Sequence, residues 1–495
     1  MGLAIDRDHF EESDYQEFGE RLQTSLRALE QVLARDGFGE GAPSIGAELE
    51  LCLVDARGRP LLLNRAVLAE TMDPRVTLEL DRFNLEINSR PVPLAGLPLS
   101  ALRADLESAL SATRHAAAAH GGRVVTIGVL PTLRESDLQA SLLTDLPRYR
   151  ALSAGLRRLR RAPFEVRISG EDELAITCDD LTLEGATTSF QVHLRVDPKE
   201  FARTYNAAQI ATAPALAISA NSPLFLGQRL WDETRIALFR QAVDARAGSS
   251  FDDWKPARVS FGHGWVRRGA HELFAESVAL HEPLLPVIGP EDPLAIVRGG
   301  GVPGLHELRL HQGTVWRWNR AVYDDTAGGH LRIELRALPA GPSVEDMIAN
   351  AAFLLGLVLG LAPESNALVT RMTFGQARRN FYEAAQRGLD AELLWPSETA
   401  PSPRLVPARE LVLRLLPVAR RGLLDAGMDA AEADSALTII ADRADQGMTG
   451  ARWQRRTLEA LRARQARDEA LALLLERYLA ASAAGHPVHG WAIDD

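Results

Sequence analysis

The sequence predicts an α+β fold, in which an antiparallel sheet is covered by helices and followed by a helical C-terminal extension. Four stretches alternate apolar and polar residues, which is typical of strands that bury one face and leave the other open. Unequal helical segments separate them, without the regular strand, helix, strand rhythm of a parallel sheet. Beyond about residue 343 the alternation stops, and helical periodicity continues almost to the end of the chain.

The first strand follows a helical segment at residues 13 to 35 and has the sequence SIGAELELCLVD, residues 44 to 55. Successive side chains of a strand project to opposite faces, so Glu48 and Glu50 share a face that is opposite to Leu49. The stretch is therefore apolar on one side and doubly anionic on the other. Taken alone, this pattern also fits a half-exposed strand whose acids meet water.

The second alternating stretch is VTLELDRFNLEINSRP, residues 76 to 91, which places Glu86 on its polar face. A long helix rich in alanine and leucine follows at about residues 99 to 119. The sequence RVVTIGVLPTL at residues 123 to 133 predicts another strand, and residues 138 to 161 predict a helical region. These elements supply both sheet and covering helices.

The last two alternating strands carry further polar side chains on one face. TSFQVHLRV at residues 188 to 196 places His193 opposite its apolar positions, and HLRIELRAL at residues 330 to 338 does the same with Glu334. Between them, residues 200 to 227 read as a buried helix that is broken at an Asn-Ser-Pro turn.

The proline-rich stretch WPSETAPSPR, residues 395 to 404, interrupts the C-terminal helical patterns and is the best linker candidate. We therefore expect two parts, residues 1–395 and a helical C-terminal extension at residues 396–495. The sequence shows no internal repeat of fixed period.

Composition excludes several classes of protein. With 495 residues, 46% of them hydrophobic, the chain can bury a large core. A net charge of -11 and a pI near 5.7 argue against binding to nucleic acid or to an anionic membrane. The two cysteines, Cys52 and Cys178, lack metal or disulfide spacing, which favours a reducing cytoplasm. We expect no signal peptide, and the apolar run at residues 347 to 362 reads as a core helix rather than a membrane span.

Common nucleotide and hydrolase motifs are also missing from the sequence. Lys199 and Lys255 are the only lysines, and no GxxxxGK[ST] exists to form a P-loop. The glycine-rich RGGGVPG at residues 298 to 304 lacks that lysine and reads as a loop. No GxSxG supports serine chemistry.

Four separate strands thus share one design, with an apolar face for the helices and a polar face for a common concavity. The polar faces carry Glu48, Glu50, Glu86, His193, Glu334 and Arg336. Clustered carboxylates raise one another's pKa values, and bound cations remove that cost. Carboxylates with one imidazole suit Mg²⁺ or Mn²⁺. Arg332, Arg336 and Arg320 would hold a phosphate or a substrate carboxylate beside them.

The ordered set of motifs resembles the bacterial glutamate-cysteine ligase and carboxylate-amine ligase superfamily. The motifs are IGAELEL, FNLEINSRP, FQVHLRV, ISANSPLFLG and LRIELRAL, followed by the helical RRNFYEAAQRGLDA. The resemblance covers roughly residues 40 to 395, and it implies a fold of glutamine-synthetase type. In that fold an antiparallel sheet forms a funnel where ATP, divalent metals and two substrates meet.

The resemblance also implies roles for individual residues. It matches Glu48, Glu50, Glu86 and Glu334 to metal-binding acids, and His193 to a strand histidine near the metals. It matches Arg336 to a phosphate-contacting arginine, and Arg235 more loosely to a substrate or phosphate arginine. Many members have an acid shortly after the late arginine, where this chain has Ala337, Leu338 and Pro339.

These matches predict an ATP-dependent ligase that joins a carboxylate to an amine through an acyl phosphate. Glutamate is the carboxylate substrate that they favour. We expect its binding partners to be small molecules. The sequence is also compatible with a homo-oligomer. Two alternatives keep the fold: a small-metabolite kinase and a catalytically silent regulatory protein. Two interpretations fit Trp316 and Trp318. They could stack on an adenine or sugar ring of a ligand, or they could pack in the wall of the funnel, and we prefer the packing interpretation.

Overall fold

The computed structural model of the chain describes residues 5–246, 255–397 and 402–493. Numbered in chain order, the strands are β1 Ser44–Val54, β2 Val76–Leu78, β3 Asn84–Asn88, β4 Val92–Pro93, β5 Arg123–Val125, β6 Phe164–Ser169, β7 Glu173–Cys178, β8 Phe190–Val196, β9 Leu224–Phe225, β10 Gln228–Arg229, β11 Asn319–Asp324, β12 His330–Leu335, β13 Glu392–Trp395 and β14 Arg404–Pro407. The helices are α1 Glu12–Leu33, α2 Asn64–Thr71, α3 Pro98–Ala119, α4 Pro147–Arg160, α5 Thr182–Gly185, α6 Phe201–Ser219, α7 Thr234–Ala242, α8 Ala270–Leu280, α9 Pro293–Arg298, α10 His306–Gln312, α11 Val344–Leu361, α12 Ser365–Arg371, α13 Phe374–Arg387, α14 Ala408–Asp425, α15 Ala430–Gln446, α16 Gly450–Arg462 and α17 Arg467–Ala483.

The centre of the molecule is an eight-stranded sheet with the order β11-β12-β8-β1-β3-β2, to which β4 and β5 add by pairing with β1. Its pairings are antiparallel. The α+β class and the antiparallel sheet predicted from the sequence are therefore confirmed. The four alternating strands of the sequence are its central members, and their apolar faces pack in one large core with α6 and α11.

The register of the sheet brings the polar side chains of separate strands together. Glu50 lies opposite Glu86 on β3. His193 lies opposite Glu334 on β12, and Glu334 lies opposite Arg320 on β11. Directly paired residues point to the same side of a sheet, so these side chains share one face.

The predicted strand at residues 76 to 91 is wrong as a single element, because the chain forms the two strands β2 and β3 there. Between them the backbone turns away to the segment at residues 142–144. The Thr144 amide donates to the Leu80 carbonyl at 2.7 Å, and the Arg82 amide donates to the Leu142 carbonyl at 2.8 Å. Pairing with this neighbouring loop ends β2 before the alternation in the sequence ends.

Two other predicted elements differ in extent, and one hairpin appears that the sequence does not predict. The strand expected at residues 123 to 133 stops at Val125. The backbone after it makes other hydrogen bonds, such as the one that the Thr188 amide donates to the Gly128 carbonyl. The helix expected from residue 138 begins at Pro147, where a proline suits the first helical turn. The hairpin of β6 and β7 was not predicted from the sequence.

Helix α11 is the apolar run of the sequence and lies inside the protein. The helical region Val344–Arg371 is long and apolar enough to cross a membrane, but 83% of its most apolar window is buried. It packs closely on α14 through glycines. A side chain at Gly422 would place its Cβ 2.2 Å from the Gly356 carbonyl oxygen, so glycine is required for this approach of the two helices.

The C-terminal helices are joined to the rest of the protein by buried polar contacts. Arg443 on α15 donates to Asp346 on α11 at 2.8 Å, and the Asn221 amide donates to the Tyr478 hydroxyl at 2.8 Å. Residues 398–401 of the linker candidate lie outside the described residues, and β13 and β14 on its two sides pair as a hairpin. The division at residue 395 stays a prediction.

Candidate active site

A cavity of about 550 Å³ opens over the polar face of the sheet. It contains, among other residues, every site residue predicted from the sequence. These are Glu48, Glu50, Glu86, His193, Glu334, Arg235, Arg320, Arg332 and Arg336. The structure therefore brings the whole predicted set together, while the role of each residue stays a prediction.

The first group of ligand atoms joins three neighbouring strands. One atom each from Glu48, His193 and Glu334 lies within 4.8 Å of the others. The Nε2 atom of His193 is 3.1 Å from a Glu48 oxygen and 3.7 Å from a Glu334 oxygen. Among the described residues, neither ring nitrogen of His193 has a hydrogen-bond partner of good geometry, although both are buried. A buried imidazole of this kind is suited to bind a metal ion.

The second group lies beside the first and consists of Glu50, Glu79 and Glu86, again with ligand atoms within 4.8 Å of one another. Glu79 was missed in the sequence analysis for a physical reason. Glu79 lies seven positions before Glu86, and residues an odd number of positions apart in one continuous strand point to opposite faces. The turn between β2 and β3 breaks this alternation and brings Glu79 to the polar face.

Arginines connect the two groups. The Arg320 guanidinium donates to Glu334 at 2.8 Å, and an Arg336 nitrogen lies 3.3 Å from the same carboxylate. Arg336 also donates to Gln191, whose amide donates to Glu50 at 2.9 Å. A continuous polar network thus runs across β11, β12, β8 and β1, with Arg336 at its centre.

The other two predicted arginines also line the cavity. Arg332 is partly exposed and pairs with Asp324 at 3.2 Å. Arg235 on α7 is buried, donates to the Ala337 carbonyl and lies over the Trp318 ring, with 5.6 Å between its guanidinium carbon and the ring centroid. Trp318 packs edge-on against Phe239, so its indole belongs to the cavity wall, as the sequence analysis preferred.

The electrostatics of the cavity separate the acids into two kinds. Burial would raise the pKa of Glu334, but Arg320 and Arg336 outweigh it and lower the pKa to about 2. Burial and the neighbouring Glu48 raise the pKa of Glu86 to about 7. Burial and Glu86 also raise the pKa of Glu79 well above its usual range. Without added positive charge, the second group therefore retains protons at neutral pH.

The donor set fits hard divalent cations. Carboxylate oxygens with a single imidazole suit Mg²⁺ or Mn²⁺, and no thiolate is present in either group. The buried nitrogens of His193, which make no hydrogen bond of good geometry with the described residues, and the raised pKa of Glu86 both fit positions that take a cation. Glu48, His193 and Glu334 would hold one ion, and Glu50, Glu79 and Glu86 a second.

Residues 44–477 match the family described as glutamate-cysteine ligase family 2, GCS2. No curated protein sequence matches the chain.

Among solved structures, glutamate-cysteine ligase from Francisella tularensis in complex with AMP is similar at 11% identity and a TM-score of 0.56, covering 92% of this chain and 91% of that chain. A bifunctional glutathione synthetase from Pasteurella multocida is 10% identical with a TM-score of 0.47, covering 96% of this chain and 54% of that chain. At such identities, the similarity to the first structure shows a shared fold and nothing more.

Proposed function

The chain belongs to glutamate-cysteine ligase family 2, and on this premise we propose that it is an ATP-dependent ligase that joins a carboxylate to an amine. We further propose that the carboxylate is that of glutamate and that the reaction passes through an acyl phosphate. The observation that carries the proposal is the pair of adjacent acid groups, which Arg336 joins by contacting Glu334 of the first group directly and Glu50 of the second group through Gln191.

The chemistry of amide formation explains these residue types. An ionised carboxylate does not react with an amine until one of its oxygens becomes a good leaving group. Transfer of the γ-phosphoryl group of ATP to that oxygen supplies the leaving group, and this transfer depends mainly on positioning and charge neutralisation. Cations bound by the two groups would neutralise phosphate charge.

The residues of the chain supply the remaining functions. Arg336 and Arg320 are held on Glu334 and present guanidinium donors to the space above the sheet, where a phosphoryl group would be bound. Arg332 at the rim is placed to contact a phosphate or a substrate carboxylate. Arg235 is buried in the wall of the cavity, where it lies over the Trp318 ring.

The second step forms the C–N bond while the bond from the carbonyl carbon to the phosphate oxygen breaks. An ammonium group that becomes an amide nitrogen loses two protons. One ends on the released inorganic phosphate, and the other passes to solvent.

The experiment is a set of assays with purified protein, glutamate, ATP, Mg²⁺ and a panel of amino acids and polyamines. We expect amine-dependent release of phosphate and a product that is lighter by one water than the two substrates combined. Hydroxylamine as the amine should trap the acyl phosphate as a hydroxamate. A stable phosphorylated metabolite would instead favour a kinase, and no turnover with any amine would favour a silent protein.

We also propose a cellular compartment and a class of binding partners for the enzyme. The acidic composition and the burial of α11 support a cytoplasmic enzyme whose partners are small molecules, without nucleic acid or membrane.

A further inference from the structure

A further acid, Glu184, lines the cavity but belongs to neither of the two groups. It lies in α5, the short helix that precedes β8. Its Oε2 atom is buried and has no hydrogen-bond partner among the described residues. An unpaired buried carboxylate oxygen is costly, so this atom is suited to a ligand that donates a hydrogen bond or carries positive charge.

The backbone around Glu184 is held firmly. The Asp180 carboxylate accepts hydrogen bonds from the Thr182 amide at 2.9 Å and the Thr182 hydroxyl at 2.6 Å, which fixes the start of α5. On the other side, Gly185 packs against Asp81, and a Cβ at Gly185 would lie 2.4 Å from the Asp81 carboxyl carbon. Glu184 is thus presented to the cavity from a rigid position, as a binding residue requires.

The surroundings of Glu184 favour a cation from outside the protein. Burial raises the pKa of Glu184 to about 8, since the nearby Arg336 and Arg148 only partly offset burial and the charge of Glu50. Arg336 makes its close contacts with Gln191 and Glu334 instead. A cationic group on the substrate would provide the missing partner.

We propose that Glu184 binds the ammonium group of the incoming amine and so places its nitrogen next to the activated carboxylate. This inference rests on the proposed function. Glu184 lines the same cavity as Glu50 and Arg336, so a group bound to its Oε2 atom shares that space with the phosphoryl group assigned to Arg336. In this proposal the amine substrate arrives as a cation.

The test uses hydroxylamine, which is uncharged at neutral pH, as the amine substrate in the presence of glutamate, ATP and Mg²⁺. In the wild-type protein, ammonium chloride and methylammonium chloride should inhibit hydroxamate formation in competition with hydroxylamine. Potassium chloride at equal concentration should not. Absence of any hydroxamate from the wild-type protein would refute the proposed function at this first step, before the variants are compared.

In Glu184→Gln, the inhibition constants of both ammonium salts should rise at least about tenfold, as expected for loss of one charge-assisted hydrogen bond. The KM for hydroxylamine should stay within about threefold of the wild-type value. Glu165→Gln removes the same charge from an exposed position on β6 and is the matched control, which should behave as wild type. Unchanged inhibition in Glu184→Gln, or no competition in the wild type, would overturn the inference.

Two further measurements separate binding of the amine from other roles. The apparent affinity of Glu184→Gln for Mg²⁺ should equal that of the wild type, and a tenfold loss would identify Glu184 as a metal ligand and refute the inference. Glu184→Asp keeps the charge and should retain weakened competition by ammonium. If the glutamine variant does not fold, this variant decides the question, because loss of competition with the charge retained would contradict the role.

Discussion

Single residues on the polar face of the sheet are where sequence and chemistry correspond most directly. Glu48 and Glu50 sit on one face of β1 because a strand repeats every two residues, and they enter the two different acid groups. That separation could not be derived from the sequence alone. It depends on which strands lie beside β1 and on the register with which they pair.

Glu48→Gln and Glu50→Gln should each lower kcat on the order of 10²-fold or more, because each removes a preorganised charge that holds a cation near the phosphoryl group. The fold should survive both changes. The measurement is steady-state turnover at saturating Mg²⁺, together with a melting curve for each variant.

Leu49→Gln is the control from the opposite face of the same strand. Leu49 is fully buried, so the variant should be destabilised by a buried amide without partners, by about 1–3 kcal/mol or more. Two glutamine variants with wild-type turnover, beside a harmless Leu49→Gln, would show that the faces of β1 were misassigned.

Glu86 should make the stability of the metal-free protein depend on pH. Its pKa is about 7 in the folded protein, while an unfolded carboxyl group has a pKa of about 4.3. Between these values the native state binds more protons than the unfolded state, so the free energy of unfolding falls as pH rises. We expect a loss on the order of 1–3 kcal/mol between about pH 5 and pH 8, measured by thermal unfolding in chelator.

In Glu86→Gln this loss should shrink, because the amide does not titrate. With Mg²⁺ present, the wild-type slope should flatten or reverse, since a bound cation favours the ionised carboxylate. A wild-type curve in chelator that rises steadily over this range would contradict the raised pKa.

At the scale of helices and strands, the sequence predicts the long elements correctly but does not predict where the short elements begin and end. Helix α3 and strand β8 follow their own periodicity, and both lie close to the predicted ranges. The break between β2 and β3 depends instead on the segment at residues 142–144, which is distant in sequence. Glu79 was missed because the sequence gives no sign of that break.

Helices α11 and α15 are joined by an ion pair that is almost completely buried. Arg443 and Asp346 are 1% and 0% exposed, and the Val488 amide also donates to Asp346. Arg443→Met leaves a buried carboxylate without its counter-ion and should lower the free energy of unfolding by about 3–5 kcal/mol. Urea denaturation followed by circular dichroism measures the change.

The control for Arg443→Met is an exposed pair of the same kind. Arg420 on α14 pairs with Asp434 on α15 at 2.6 Å, with both side chains about half exposed. Arg420→Met should cost no more than about 1 kcal/mol, because exposed ion pairs contribute little. Equal effects of the two variants would show that burial does not set the value of the pair.

At the scale of the whole molecule, binding and stability should be coupled through the metal sites. The two groups of ligand atoms draw on β1, β3, β8 and β12 and on the turn after β2, so a bound ligand bridges most of the sheet. ATP should raise the melting temperature when Mg²⁺ is present and leave it nearly unchanged in chelator, by mass action on the native state. Equal stabilisation in chelator would argue against cations between protein and phosphate.

The C-terminal helices should prove necessary for the rest of the fold, since α14 covers α11 along a surface that only small residues permit. We expect residues 1–397 produced alone to aggregate, because the apolar side chains of α11 that face α14 would be exposed to water. Residues 402–495 produced in the same cells should bind this fragment and restore a stable complex, detected by copurification and a cooperative melting transition.

Gly422→Leu in the second fragment is the matched variant. Its side chain would collide with the backbone of α11 at Gly356 and should abolish copurification. If residues 1–397 were instead monomeric, active and as stable as the full chain, the C-terminal part would be a separable extension and the contact of α11 with α14 would contribute little to the fold.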